Sequence, residues 1–498
     1  MAPEQLAIRH ASRTSAHEVM QLISDLGSYV SWDTLITYDT RSGPYRSESV
    51  AAAERAGTDE SIVTGSAAIA GHRIALIINE FNYLGGSIGQ DAANRIVSGI
   101  HRATREGLPL LASAATGGTR MQEGTPAFVR MIDICRAVMA HRAAGLPYLV
   151  HLRHPTTGGV FASWGSLGHL TVAEPGALIG FLGPKVYERL THDVFPAGVQ
   201  QAENLHSHRL IDAVVPTDEL RTYLLHALTI FDRPSMMSRH DGGSAPTAPP
   251  AFSWASIEAT RDPLRPGAAE LLEHCLSPKI ALRPGDDDND AISVWFGRVC
   301  GIGCVVIAQD HAPSKRLRPA SLRAARRAMS FAQELRLPLV TVIDTAGAEM
   351  SVVAEEDGLA IEIAHCIAEM TTLTVPTIAV LLGQGCGGGA LALFPARHVI
   401  AATDAWLAPL APEGASAIMN GHTNAAAHIA EQQRIDAGSL HELGHVHTLV
   451  PGPDARGPEP FIDAVRQALT QTLAQYTYRS DHTRAIEQGM DIRPPTEP

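Results

Sequence analysis

The chain repeats itself, and this limits what it can fold into more than any other feature. Pro109 opens the apolar run of GLPLL, and Pro338 opens that of RLPLV, 229 positions later. Pro147 in GLPYLV and Pro376 in TVPTIAV keep the same spacing of 229, as do Gly118 in TGGTR and Gly347 in TAGAE. Gly159 in TTGGV and Gly389 in GGGAL stand 230 apart, while Pro216 and Pro451, which close DAVVP and HTLVP, stand 235 apart. Chance matches would not hold one register across a hundred residues, so two copies of one fold are predicted. Between them residues 234–252, PSMMSRHDGGSAPTAPPAF, are rich in Pro, Ser and Gly and show no periodicity, as a linker does. The predicted division is a first domain over 1–233 and a second over 253–498, each long enough for a large core of its own.

Each copy alternates short apolar runs with helix-length segments. Strands are predicted over Ile74–Glu80, Leu108–Ala114, Tyr148–Arg153 and Ala177–Leu182, with helices near 90–106 and 126–144. The second copy gives strands over Val305–Ala308, Leu339–Asp344, Thr377–Leu382 and Trp406–Leu410, with helices near 320–335 and 355–371. Thr125 followed by Pro126 reads as an N-cap with proline at the first helical position. Alternation of this kind makes an α/β fold of βαβ units.

Composition narrows the function. At 45% hydrophobic and 18% charged residues the chain can build cores and is neither disordered nor collagen-like. A net charge of −13 argues against a nucleic-acid partner. The six cysteines, at 135, 275, 300, 304, 366 and 386, are too scattered for a disulfide framework, which fits a reducing compartment. Cys300 and Cys304, the only close pair, read as strand residues without a metal. The amino-terminal residues lack the apolar run of a signal peptide, and no apolar stretch reaches the ~18 residues of a spanning helix. A soluble, cytoplasmic protein is expected, with neither membrane nor nucleic acid as a partner.

Three glycine clusters carry the chemistry: Thr116-Gly117-Gly118-Thr119-Arg120, Thr157-Gly158-Gly159-Val160, and Gly385 to Ala390. In the second copy Thr345-Ala346-Gly347-Ala348 answers the first of them. Each follows a predicted strand, where open α/β sheets bind ligands, and glycine lets a ligand approach the backbone N–H groups. There is no GxxxxGK[ST] phosphate loop and no GxSxG elbow. His154 is either a catalytic group or a hydrogen-bonded loop residue; Arg120 and Glu123 either touch a phosphate or pair over a helix start.

At these residues the chain resembles a known family. LGGSIG (84–89), GLPLLASAATGGTRMQEG (107–124), GLPYLVHLRHPTTGGVFAS (145–163) and AEPGALIGFLGPKV (173–186) look like the β half of acyl-CoA carboxylase carboxyltransferases. LPLVTVIDTAGAEMSVVAEEDG (337–358), VPTIAVLLGQGCGGGALAL (375–393) and PEGASAI (412–418) look like the α half. The whole is similar to fused β–α chains of actinobacterial type, such as acetyl- and propionyl-CoA carboxylase β chains. The implied fold is two tandem crotonase-like (ClpP/crotonase superfamily) ββα-spiral domains. The implied reaction moves a carboxyl group from carboxybiotin, carried on a separate protein, to the α-carbon of a short-chain acyl-CoA, acetyl-CoA or propionyl-CoA.

The resemblance implies that amides of Gly118, Thr119, Gly158, Gly159 and Val160 hold the thioester oxygen, with Gly117 and Arg120 also at the substrate. Amides of Gly347, Ala348, Gly388, Gly389 and Ala390 would hold biotin, and Ala392 would line the acyl pocket. Biotin itself would accept the α-proton, so no side-chain base is required. A biotin carboxylase and biotin carboxyl carrier subunit is the implied partner. The implied assembly is a homo-oligomer, dimer or hexamer, in which the N-half of one chain faces the C-half of another. The four-cysteine zinc ribbon of the separate bacterial β subunit is absent, and DTAGAEMS (344–351) stands where the family's α half has DTPGxxPG. Two other readings share these motifs: a decarboxylase of malonyl-type thioesters and a non-catalytic scaffold subunit.

Overall fold

In a computed structural model the described residues are 14–487, except 39–40, 42, 182–186, 190–191, 233–250, 285–287, 313 and 455. The predicted linker lies almost wholly outside them. Two compact units part between Leu228 and Thr229, with Arg283 returned to the first.

The first unit holds eight strands: β1 (Val30–Ser31), β2 (Ile62–Ile69), β3 (His72–Asn79), β4 (Leu110–Thr116), β5 (Tyr148–Thr157), β6 (Leu170–Ala173), β7 (Ile179–Gly180) and β8 (Ala213–Val214). Their order is β1-β2-β3-β4-β5-β6-β8, with β7 beside the far end of β5. The second unit holds β9 (Leu276–Ala281), β10 (Ile292–Val299), β11 (Ile302–Gln309), β12 (Leu339–Thr345), β13 (Thr377–Cys386), β14 (His398–Ala402), β15 (Trp406–Ala408) and β16 (Thr448–Val450). Its order is β9-β10-β11-β12-β13-β14-β16, with β15 beside β13. Strand for strand, β2 to β8 answer β10 to β16. Even the irregularities coincide: the register slips between Ala114 and Thr116 in one sheet and between Ile343 and Thr345 in the other. Each slip is a bulge that gives the later strand two extra residues near its carboxyl end, and pairing resumes just before a glycine turn.

An antiparallel hairpin opens each repeat, β2–β3 and β10–β11, and neither β2 nor β10 was among the predicted strands. The turns are Ala70-Gly71 and Cys300-Gly301, with both residues of each at positive φ. Two-residue hairpin turns of this handedness match the twist of the strands, but they usually announce themselves through Asn-Gly or Asp-Gly. Gly65 and Ser66 further weaken the strand signal of β2. The central parallel strands β4 and β12 are buried along their whole length and read as apolar runs.

The helices follow expectation with two adjustments. Gln90–Arg105 carries Asp91 in its first turn and Arg102 and Arg105 in its last, a charge order that suits the helix dipole. Thr125–Ala143 is capped by Gly124 rather than Thr125, because Gly124 takes φ +59 and places Thr125 inside the first turn. The predicted helix near 355–371 is two, Val352–Glu356 and Leu359–Thr372, interrupted at Gly358, which has φ +83. In the first unit Ile96, Ile100, Ile134 and Val138 from two helices pack over Ile77, Leu110 and Tyr148 of the sheet.

Three histidines, two buried and one half-buried, make stability depend on pH. Burial pushes His141 down to about 4 and His151 down to about 3, the latter also by the charge of Arg153. Burial, with His447 beside it, pushes His398 down to about 4. Unfolded histidine titrates near ~6.5, so between pH 6.5 and 4 the unfolded chain binds more protons than the folded one. Stability from these groups is complete above pH 6.5 and is lost as pH falls. Asp344 acts oppositely on His311, raising its affinity for a proton. Two of the three depressed histidines lie in the first unit, so its melting transition should fall faster from pH 6.5 to 5 than that of the second. Calorimetry across that range checks it, and equal slopes would refute it.

Candidate active site

Each repeat presents the same pair of turns. In the first unit β4 runs into Thr116-Gly117-Gly118, where the Gly118 N–H donates to Thr116 Oγ1 at 2.9 Å. In the second unit β12 runs into Thr345-Ala346-Gly347, where the Gly347 N–H donates to Thr345 Oγ1 at 3.1 Å. Gly118 has φ +103 and Gly347 φ +126, a backbone that side chains resist. Both threonines belong to the glycine clusters, and their role as acceptors is signalled by the Thr-x-Gly spacing that repeats at 229. The hydroxyl also explains why the absence of the family's prolines at 346 and 350 leaves the turn intact.

A neighbouring loop braces each turn from outside. The Arg120 N–H donates to Ile88 O at 2.9 Å, and 229 residues on the Glu349 N–H donates to Leu317 O at 3.0 Å. Gly117 N–H to Gly85 O and Ile88 N–H to Gly118 O, both 2.9 Å, complete the first brace. These bonds leave the residue in between, Thr119 or Ala348, with an amide that meets no acceptor among the described residues and a partly exposed position.

The second pair of turns closes against the first. A Cβ on Gly118 would lie 3.5 Å from Gly158 Cα and 3.6 Å from Gly159 N; a Cβ on Gly389 would lie 3.5 Å from Ala348 N. The structure corrects the register of this pair. β5 and β13 begin at 148 and 377 and end at 157 and 386, and the first glycine after each is left-handed: Gly158 at φ +68 and Gly387 at φ +66. Gly159 therefore corresponds to Gly388, at 229, and Gly389 corresponds to Val160.

Only part of the predicted donor set is available. Gly118 and Gly158 spend their N–H groups internally, Gly158 on Gly180 O and Phe181 O, and Gly347 spends its own on Thr345. Gly117 is exposed, but its N–H is held by Gly85. Val160 and Ala390 are completely enclosed and Gly389 is buried, whereas Gly159 is partly exposed and Gly388 exposed. Among the described residues Gly159 N–H finds no acceptor, and Gly388 sits in the first turn of Gly387–Leu391, where amides lack intrahelical partners. What remains is one accessible amide pair per repeat: Thr119 with Gly159, and Ala348 with Gly388.

Two further residues expected at the site are enclosed. Arg120 is fully buried, donating to both oxygens of Glu60 and to Ser61 Oγ and Ser87 O, so its guanidinium is out of reach of a substrate. Burial alone would raise the Glu60 carboxyl, yet Arg120, Arg41 and the Ser61 amide hold it below its ordinary value. Ala392 is likewise fully buried and offers no surface to an acyl chain.

Nearby titratable groups are structural. His154 Nδ1 accepts from the Leu178 amide at 3.1 Å and Glu123 Oε2 from the Gln90 amide at 2.6 Å. Glu349 pairs with Arg318 at 3.0 Å and Glu413 with Arg261 at 2.6 Å. His154→Ala and Glu413→Ala, checked for folding, should each reduce kcat less than ~10-fold, below the 10²–10⁴ that general-base removal costs. A thousandfold loss in either would restore a side-chain base. Among the described residues no three potential ligands cluster to hold a metal, and no helix is long and apolar enough to cross a membrane.

Comparison with known proteins agrees with the internal repeat. A carboxyl transferase domain model matches residues 12–229, and an acetyl co-enzyme A carboxylase carboxyltransferase-like model matches 251–490. A Mycobacterium tuberculosis protein named probable biotin-dependent acyl-coenzyme A carboxylase beta3 subunit is 50% identical over 462 residues, 91% of this chain and 92% of that one. The acetyl-coenzyme A carboxylase carboxyl transferase subunits beta/alpha of Saccharopolyspora erythraea are 34% identical over 93% of this chain and 85% of theirs. Among solved structures, the transcarboxylase 12S hexamer core with methylmalonyl-coenzyme A bound aligns at TM-score 0.74 and 18% identity, over 97% of this chain and 92% of that one. The fold is thus that of two tandem crotonase-like carboxyltransferase domains, and the chain belongs to the carboxyltransferase family of acyl-CoA carboxylases.

Proposed function

We propose that the chain is the carboxyltransferase component of a biotin-dependent acyl-CoA carboxylase acting on a short-chain acyl-CoA, acetyl-CoA or propionyl-CoA. The observation that carries this is the duplicated amide pair. Removing a proton beside a thioester develops negative charge on the thioester oxygen, and transferring a carboxyl group from a cyclic urea develops it on the ureido oxygen. Two oxygens call for two sets of fixed donors, and each donor is worth ~2.7–4 kcal/mol when preorganised. Thr119 and Gly159 serve the thioester; Ala348 and Gly388 serve the urea, where the missing Cβ of exposed Gly388 gives room for a bicyclic ring. Carboxybiotin, delivered on a separate carrier, supplies the carboxyl group and, after losing it, the base for the α-proton. The protein's own part is to hold both oxygens, exclude water and bring the two carbons together.

The halves act as separate domains, 1–233 for acyl-CoA and 253–498 for biotin, in a soluble, cytoplasmic homo-oligomer. Exposed apolar side chains support self-association: Met121, Phe128 and Ile132 in the first unit, Met350, Val352 and Ile361 in the second. Met121 and Met350, like Ile132 and Ile361, are 229 apart, so homologous faces are left open in both repeats.

The experiment is a carboxylation assay with the cognate biotinylated subunit, ATP and bicarbonate across acetyl-, propionyl- and butyryl-CoA. The complete mixture should carboxylate one of the shorter thioesters, and the chain alone with ATP and bicarbonate should carboxylate none. Carboxylation without the partner would overturn the division of labour. Release of CO2 from malonyl-CoA without any biotin protein would show the decarboxylase instead.

A further inference from the structure

The two hairpin turns differ in one respect that the fold does not require. Ala70-Gly71 and Cys300-Gly301 adopt the same backbone 230 positions apart, with φ of 48 and 86 in the first and 48 and 85 in the second. Alanine suffices for the turn, yet the second repeat places a thiol there. That thiol has company. Val299 of β10 pairs with Leu276 of β9 in antiparallel register, so the next residues outward are Cys300 and Cys275. The paired Cα atoms of Val299 and Leu276 stand about 4.5–5.5 Å apart, so Cys300, in the turn, and Cys275, the last residue of the helix Ala268–Cys275, leave that pair from a separation inside the ~4.4–6.8 Å that a disulfide spans.

The surroundings divide the labour between the two sulfurs. Cys300 is partly exposed, and the Thr470 hydroxyl donates to its sulfur at 2.8 Å. The Arg466 guanidinium, one turn away on the Glu459–Glu487 helix and paired with Asp463, brings a positive charge near the same sulfur. Partial exposure lets an oxidant reach this sulfur, and the thiolate is the form of a cysteine that reacts with it. Cys275 is buried, and burial, with Cys300 next to it, pushes its thiol up to about 12. It is the protonated neighbour that can resolve an oxidised Cys300. Cys304, the third cysteine of this region, is fully buried opposite Gly297, further down the hairpin.

We propose that Cys300 and Cys275 form a peroxide-responsive thiol pair, Cys300 reacting first and Cys275 closing the disulfide. The Cys300 thiolate attacks one oxygen of hydrogen peroxide, the O–O bond breaks, and sulfenic acid and hydroxide result. The Cys275 sulfur then attacks the Cys300 sulfur and displaces hydroxide. With the thiol proton this leaves as water, so two thiols and one peroxide give one disulfide and two waters. The bond removes the Thr470 acceptor and so loosens the Glu459–Glu487 helix where it meets the hairpin.

The test uses the full native chain with hydrogen peroxide, followed by alkylation and peptide mass mapping. Most chains should carry a Cys275–Cys300 disulfide, two hydrogens lighter and reversed by dithiothreitol. Amide exchange around Thr470 should quicken at least ~10-fold on oxidation. Cys300→Ser should form no disulfide. Cys275→Ala should instead accumulate a Cys300 sulfenic acid that dimedone traps, which keeps the order of reaction testable even if Cys300→Ser folds poorly. A wild-type disulfide joining other cysteines, or peroxide carrying Cys300 straight to sulfinic acid with no disulfide, would overturn the proposal.

Discussion

Gly159→Val and Gly388→Val are each expected to reduce overall carboxylation at least ~10²-fold, the scale of a lost oxyanion donor, but through different half-reactions. A Cβ at Gly159 would sit 3.4 Å from Thr119 Oγ1 and 3.9 Å from Met131 Cγ, within ordinary contact, and the backbone is not left-handed. The fold should therefore survive, while the two methyl groups crowd the gap between the Thr119 and Gly159 amides. At Gly388 a Cβ meets Ile363 Cδ1 at 3.0 Å, the end of a flexible side chain that can yield. Calorimetric titration with acyl-CoA should show binding lost in Gly159→Val and kept in Gly388→Val. The reverse reaction with free biotin as acceptor should fail in Gly388→Val even at saturating malonyl-CoA or methylmalonyl-CoA. Gly389→Val should be milder, because its counterpart Val160 already carries that side chain, although Leu317 Cδ2, 2.4 Å from the new Cβ, must rotate. Equal loss of acyl-CoA binding in both variants would refute the assignment of one oxygen to each repeat.

What the sequence revealed and what it hid have separable causes. Repeats, parallel strands and glycine turns were legible because each rests on local chemistry: apolar runs for strands buried on both faces, and glycine where the backbone is left-handed. Pro109, Pro147, Pro338 and Pro376 mark strand starts, and so they held the register. The hairpins were missed because their turns are Ala-Gly and Cys-Gly, whose conformation the neighbouring strands impose. The one-residue error that matched Gly159 with Gly389 arose because GGG offers several alignments, and only φ at Gly158 and Gly387 separates them. Which amides are free was beyond sequence altogether. It depends on acceptors brought from elsewhere, such as Gly85 for Gly117 and Gly180 for Gly158. Arginine is ambiguous for the same reason, since a guanidinium beside a glycine turn reads alike whether it faces a phosphate or a buried carboxylate.

Arg120→Ala is therefore expected to destabilise the first unit rather than weaken substrate binding directly. The guanidinium ties together Glu60, Ser61 and the Ser87 carbonyl, and through Ser87 it holds the loop that braces the Thr119 amide. Arg41 would remain on Glu60 at 2.8 Å, so the buried carboxylate keeps one cation and loses the other. Removing one partner of a buried ion pair costs about 3–5 kcal/mol. For a unit of this size each kcal/mol lowers the melting temperature by ~2–4 °C, which predicts a drop on the order of 10 °C in its transition. Below that temperature the KM for acyl-CoA should change less than about threefold, because charge in water-filled reach of a CoA phosphate would be worth more than ~0.6 kcal/mol. Arg120→Lys should recover only part of the stability, since an ammonium cannot donate to both Glu60 oxygens and Ser87 in one plane. A variant that melts like wild type yet binds acyl-CoA tenfold more weakly would place Arg120 at the substrate after all. It would also mean that the loop from Leu84 to Gly89 opens enough to free a side chain that is fully enclosed in this structure.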